Sequence, residues 1–329
     1  VIAKIFETYE ALNDEPARKY LGGSAIGKSC ERELWYGFRW ALSEHFDGRI
    51  LRLFQYGHQA EPRFIAELKK AGISVYQFDE DGEQFKMVAG KGHFGGHADG
   101  KGEGFPGDPG MHLLEFKTHN DKSFKALKSK GVASKPQHVA QVQVYMGLLG
   151  LKKAYYLAEN KNDSDLYDEV IEFDQTQFDD LMRKAERIIF ADSAPPRIAK
   201  TAAWFECKFC NFTDICHGKG LPNKSCRTCA SATPIADGAW HCDRHGDLIP
   251  EDFSRTGCGQ HLFNPTMINS KPLDSGDEFV RYEDFTNIIE GSDVDGLTSA
   301  ELATIGDIEK IDDVLAVKKH FGGTVVAND

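Results

Sequence analysis

Apolar positions recur with helical spacing over residues 48–72, where Phe54, Phe64, Ile65 and Leu68 share one stripe. Glu61 falls on that stripe, midway between Phe54 and Leu68. A carboxylate facing a core needs a cation or a hydrogen-bond network. Pro62 marks a kink or a fresh start in this helix. Residues 1 to about 45 also read as helical, with an amphipathic run from Glu31 to Trp40 directly after Cys30. The period then changes. Short, glycine-punctuated, alternating segments at 85–88, 93–99 and 111–118 predict strands. In the last of these, Leu114 and Phe116 face one side while Leu113, Glu115 and Lys117 face the other. Pro136 opens a helix running to about Leu149, on which Gln141 and Tyr145 lie one turn apart on one face. Strands follow at 153–158 and 167–173, and Asp174 caps a helix striped by Phe178, Leu181, Ala185 and Ile188. This order predicts the α/β class, a mixed sheet flanked by helices. Farther on, 279–285 reads as a strand and Thr298-x-x-Glu301 as a capping box. Residues 308–320 read as a short helix closed by Gly322-Gly323.

The chain has 329 residues, 41% of them apolar and 27% charged, as in an ordinary globular protein. No stretch approaches the roughly 20 apolar residues of a membrane-spanning helix. The opening Val1–Glu7 lacks the apolar core and cleavage site of a secretory signal. The expectation is a cytoplasmic protein without a membrane partner. Net charge is −12, of which −9 lies from Leu262 onward, so the first 261 residues are nearly neutral. Such a balance only weakly disfavours a nucleic-acid partner, because a local basic groove suffices.

Seven of the eight cysteines fall between Cys207 and Cys258, several as C-x2-C pairs beside histidines. A chain this long needs no disulfides to fold, so metal ligation is the better reading. Asp99 ends one predicted strand and Glu115-Phe-Lys117 lies on the next. With Glu61 from a packed helix, these carboxylates make a hard oxygen site for Mg2+ or Mn2+. Lys117, on the face of Glu115, is placed to steady developing negative charge or position a water. That is the equipment of metal-assisted phosphodiester hydrolysis. Alternating Glu and Lys also describe a solvated sheet face; the pattern around them decides the matter. Gly57 stands four residues before Glu61, and Gln141-Val-Gln-Val-Tyr145 follows at a fitting distance.

In order, Gly57/Glu61, Asp99, Glu115/Lys117 and Gln141/Tyr145 resemble the RecB-like branch of the PD-(D/E)XK nucleases, over about residues 20–217. That family includes phage exonucleases of the YqaJ type and CRISPR-associated RecB-like nucleases. The resemblance implies a restriction-endonuclease-like core, a Mg2+- or Mn2+-dependent deoxyribonuclease, and DNA as partner. It implies that Glu61, Asp99 and Glu115 hold the metal, that Lys117 assists the water, and that Gln141 and Tyr145 contact DNA. Ala98 stands where the name-giving proline would be.

The cysteines split into two sets. Cys207, Cys210 and Cys216 leave a tetrahedral site one ligand short, and Cys30 is the sole cysteine upstream. One early cysteine joined to a late C-x2-C-x5-C resembles the iron–sulfur staple of RecB-like nucleases, which implies a [4Fe–4S] cluster. Zinc on the same four thiols is the alternative. The second set, Cys226-x2-Cys229, Cys242-x2-His245 and Cys258-x2-His261, reads as a zinc-ribbon-like module on knuckles. Its fourth ligand is open: His245, Cys258 or His261. The expected organisation is thus a nuclease domain over 1–220, a small C-terminal zinc-binding module over 221–265 and an acidic region over 266–329. The expected activity is an exonuclease in phage-type recombination or DNA end processing, with a recombination protein as possible partner. The alternative is a catalytically inactive, metal-stapled nucleic-acid-binding adaptor.

Overall fold

A computed structural model describes residues 1–13, 17–43, 45–321, 323, 325 and 326. It divides into two compact units that interleave in sequence: residues 1–28 with 44–186, and residues 29–43 with 187–329. The division therefore falls elsewhere than at the 220 and 265 boundaries expected from sequence. Sequence proximity hides it, because the second unit borrows a helical segment from near the start of the chain.

In the first unit, strands β1 (Leu21–Gly22), β3 (Lys86–Ala89) and β4 (Phe94–His97) form a small sheet in the order β1-β4-β3. A five-stranded sheet runs β2-β5-β6-β7-β8, built from β2 (Ser74–Tyr76), β5 (Gly100–Glu103), β6 (His112–His119), β7 (Lys153–Asn160) and β8 (Leu166–Glu172). Only the central β6–β7 pairing is parallel, so this is the mixed sheet expected. The helix Gly48–Lys70 is continuous through Pro62 and is capped by Asp47, whose carboxylate accepts from the Ile50 N–H at 2.9 Å. One lost backbone bond is outweighed by burial of Ala60, Phe64, Ile65 and Leu68 against Leu114 and Phe116 of β6. Phe54, expected on that stripe, is 43% exposed. On the other side, Phe124, Leu127 and Val132 pack on Tyr156 and Ala158 of β7.

Among the described residues of the first 45, helix is confined to Ile2–Ala11 and Glu31–Phe38. Between them the chain enters β1, which pairs with β4 at Leu21↔Phe94 and Gly22↔Gly95. The glycines of Leu21-Gly22-Gly23 and Gly27 disfavour a continuous helix there.

In the second unit, the helix Glu31–Phe38 buries Leu34, Trp35, Tyr36 and Phe38. Arg32 donates to the carbonyls of Pro195 and Thr266, and Trp35 Nε1 to that of Ala191. A three-stranded sheet joins Ala232–Pro234, Trp240–Cys242 and Asp247–Leu248; a four-stranded one joins Pro272–Ser275, Phe279–Tyr282, Thr286–Ile288 and Leu297–Thr298. One apolar core mixes Leu221, Leu262 and Phe263 with Val280, Leu297, Leu302 and Ile311. The expected zinc-ribbon-like segment and acidic region therefore share a core rather than forming separate bodies. The Thr298/Glu301 capping box forms both of its reciprocal bonds. The closing helix spans Ile311–Phe321; Gly322, expected to close it, lies outside the described residues.

Ending the chain at Gly220 removes the Thr266 carbonyl from Arg32, the Met267 carbonyl from Tyr36 and the Trp240 ring from Phe38, leaving Phe212 stacked on Tyr36. Hydrogen exchange of such a truncated chain should show that helix unprotected while β6 and β7 keep full protection. Protection persisting over residues 31–38 would restore the boundary near 220.

Candidate active site

The site is organised around β6. Glu115 is 1% exposed, in the middle of the five-stranded sheet, where an ionised carboxylate demands partners. Both of its oxygens have one: Lys117 Nζ pairs with Oε1, and Gln141 Nε2 donates to Oε2 at 3.1 Å. Gln141 comes from the helix Pro136–Leu149, which is mostly buried between Ala140 and Met146. Asp99 lies between β4 and β5 and accepts from the Phe116 N–H of β6 at 2.8 Å. Glu61, half-buried on the helix Gly48–Lys70, feels the charges of Asp99 and Lys117. The four expected residues Glu61, Asp99, Glu115 and Lys117 therefore converge.

Their charges do not cancel. Burial first, then Asp99 and Glu61, push the Glu115 carboxyl up to about 7 against the pull of Lys117. Burial and Asp99 push Glu61 up to about 6, again opposed by Lys117. Burial works to lower the Lys117 ammonium, but Glu115, Asp99 and Glu61 overcome it and hold the group above its ordinary value. Three carboxylates around one lysine leave a surplus of negative oxygen. This donor set fits a hard divalent cation.

Gln141 and Tyr145 are 8% and 3% exposed. Both side chains, expected at DNA, are turned into the protein, Gln141 toward Glu115. The Tyr145 ring lies against Gly23 and Gly96: a Cβ on Gly96 would stand 2.3 Å from its hydroxyl, and one on Gly23 2.7 Å from its ring. Ala98 donates its N–H to the Phe85 carbonyl at 3.0 Å, a bond that proline lacks the hydrogen to make.

Two features escaped the sequence pattern. Glu159 of β7, 1% exposed, pairs with Arg63, two residues beyond Glu61. The ion pair ties the helix bearing Glu61 to the strand beside β6. Behind the site, the Tyr156 hydroxyl lies 3.0 Å from His119 Nε2 and 2.8 Å from His138 Nδ1. Burial, with Lys117 and Lys135 contributing, lowers His119 to about 4 and His138 to about 3, so both are neutral at pH 7. Neither the pair nor the network has a short sequence signature, because their members meet only across the sheet.

In the second unit, Cys30, Cys207, Cys210 and Cys216 line one small cavity together with Glu33, Tyr36 and His217. Cys30 is the N-cap of the helix Glu31–Phe38, and Thr213 Oγ1 donates to the Cys210 carbonyl at 2.9 Å, tightening the loop. Cys226, Cys229, Cys242 and Cys258 line another cavity with His261, while His245 is exposed, its Nε2 3.7 Å from Cys258 Sγ. None of the eight cysteines is in a disulfide. Among the described residues, no three His, Cys, Asp or Glu side chains already form a metal-holding group.

No family model matches the chain, and no curated protein does. Among solved structures, the chain is similar to an alkaline exonuclease, LHK-Exo, from Laribacter hongkongensis, at 16% identity and a TM-score of 0.39 over 55% of this chain and 90% of that one. The same enzyme in complex with dAMP gives 14% identity and 0.37 over 56% and 89%. SSO0001 gives 17% and 0.39 over 65% and 94%. Likenesses this low assign no family. The chemistry of the chain has to be read from the geometry of its own site.

A Glu61→Gln variant tests the surplus charge. The folded pKa of Glu61, about 6, exceeds the ordinary 4.5. Glu61 therefore withdraws stability as pH rises from about 4.5 to 6, and the deficit persists above that range. In EDTA at pH 8 the variant should be more stable by about 1 kcal/mol after discounting for solvent screening, and equal to the parent near pH 4. Urea titrations at both pH values check this; equal stability at pH 8 would remove the surplus.

Proposed function

We propose that the chain is a divalent-metal-dependent DNA nuclease that hydrolyses phosphodiester bonds, acting as an exonuclease in DNA end processing of the phage-recombination type. The observation that carries this reading is the convergence of Glu61, Asp99 and Glu115 around Lys117, with both Glu115 oxygens already oriented. Glu61, Asp99 and Glu115 would hold Mg2+ or Mn2+. Such an ion supplies Lewis-acid charge at the phosphate and a more acidic water. Lys117, kept protonated by its carboxylates, sets positive charge where the phosphate gains negative charge and orients the attacking water. Gln141 fixes the Glu115 rotamer, and Tyr145 fixes β4 beside Asp99. The low likeness to exonucleases adds nothing to this assignment.

The test uses end-labelled linear and closed circular DNA with Mn2+. Linear DNA should be degraded from its ends and circles spared. Asp99→Ala and Lys117→Ala should each lower the rate at least about 100-fold, ~2.7 kcal/mol of transition-state stabilisation, without unfolding. Activity persisting in EDTA would overturn the assignment, and binding without cleavage in the parent would make the chain an adaptor.

For Cys30, Cys207, Cys210 and Cys216, we propose a [4Fe–4S] cluster, since four thiolates from both parts of the second unit are the donor set such a cluster takes. Anaerobically prepared protein should be brown and contain about four irons per chain, and Cys30→Ser should bleach it. Zinc without iron would put a structural zinc ion on the same four thiols.

A further inference from the structure

The second cysteine set is brought together from three separate segments, and each segment carries the backbone form of a ligand loop. Cys226–Thr228 is a single 3-10 turn in which the Cys229 N–H reaches the Cys226 carbonyl at 3.1 Å. The Ser231 N–H points at Cys229 Sγ from 3.5 Å, the kind of donor that steadies a thiolate. At the second segment, the Gly246 N–H reaches the Cys242 carbonyl at 2.8 Å, and Gly246 has φ +67°, a conformation natural to glycine. The third segment delivers Cys258 just after Gly257, also at φ +67°. All four thiols line one small cavity and none is oxidised to a disulfide.

The histidines are placed differently. His245 is exposed and approaches Cys258 from 3.7 Å. His261 is 2% exposed, and its Nε2 is engaged by the Ser225 carbonyl at 2.9 Å and by Thr228 Oγ1 at 3.3 Å. That bond holds the residue preceding the first turn. Its Nδ1 is buried with no hydrogen-bond partner, so it enters the test as a rival donor.

We propose that Cys226, Cys229, Cys242 and Cys258 form a four-thiolate structural zinc site, with His261 as a positioning residue. Four thiolates in a closed tetrahedral set match zinc in its structural role. The site has a mechanical consequence within its unit. Arg227, inside the first turn, is 3% exposed, donates to the Phe38 carbonyl at 3.0 Å and stacks 3.7 Å from the Trp40 ring centroid. Four and five residues after Cys258, Leu262 and Phe263 enter the shared core. Zinc would therefore fasten the Phe38–Trp40 segment and the core to one ion. The proposal is independent of the nuclease reading: it concerns zinc content and not cleavage.

The experiment measures zinc and iron in the full-length chain and in Cys258→Ser, His245→Ala, His261→Gln and Cys30→Ser variants. The parent should hold about one zinc at this site. Cys258→Ser should lose that equivalent, whereas His245→Ala, His261→Gln and Cys30→Ser should keep it. Should the Cys30 set hold zinc in place of iron, Cys30→Ser and Cys258→Ser would each lose a different equivalent, and the proposal stands. Because Cys258→Ser can fail to fold, cobalt is also substituted into the parent; its absorption should be that of four thiolates and should be unmoved by His245→Ala or His261→Gln. A parent without zinc at this site overturns the proposal. So does loss of zinc or a spectral shift in either histidine variant while Cys258→Ser retains the metal.

Discussion

Burial of Glu115 in the centre of a mixed sheet is the constraint on which the first unit depends. A carboxylate 1% exposed has to be answered on every side. Lys117 answers from the same strand, two residues on, because alternation returns the side chain to the same face. Gln141 answers from a helix, and so fixes the position of Pro136–Leu149 over β6. Asp99 is held by the backbone of the same strand and brings the junction of β4 and β5 to the same place. The compensation is incomplete because carboxylates outnumber cations, and Glu115 and Glu61 are pushed upward as a result. An arrangement that is costly for the folded chain alone is favourable once positive charge arrives, which is how a binding site differs from a well-satisfied core.

The second unit buries charge of the opposite sign and stabilises it differently. Arg39 and Arg227 are 2% and 3% exposed. Arg39 donates to the carbonyls of Arg227, Ala232 and Ala191, and its guanidinium lies 5.0 Å from the Trp35 ring and 5.3 Å from that of Trp240. Planar guanidinium groups suit this layering, because they stack on indoles while their edges reach backbone oxygens. Arg227 belongs to the same layering, its guanidinium 3.7 Å from the Trp40 ring centroid. Its burial removes it from any phosphate-binding surface and makes it part of the unit's framework.

Where the candidate site was legible in the sequence, it was because its residues are local. Glu115-Phe-Lys117 shows its shared face by alternation alone, and the helix Pro136–Leu149 announces itself with Pro at its start. The strands expected in the first unit end within a residue or two of their observed bounds for the same reason. What could not be read depends on contacts distant in sequence. Arg63 meets Glu159 across 96 residues, and Cys258 lines a cavity with Cys226 across a hairpin and a one-turn helix. The unit division is hidden for a related reason: the segment 29–43 is contiguous with the first unit in sequence but finds its partners after residue 187.

Tyr145 shows how a motif residue can shape a candidate site through packing alone. Its ring occupies space that any side chain at Gly96 would claim, so Tyr145 and Gly96 specify one another. Gly96 lies in β4, three residues before Asp99, and the intervening Ala98 is tied by its own N–H to the Phe85 carbonyl. A short, doubly anchored segment leaves Asp99 little freedom, and its carboxylate meets the Phe116 N–H one residue beyond Glu115. Glycine at 96, an N–H at 98 and tyrosine at 145 thus hold the backbone that leads into Asp99. Proline at 98 would stiffen that segment but forfeit the bond to Phe85, because it has no N–H to donate.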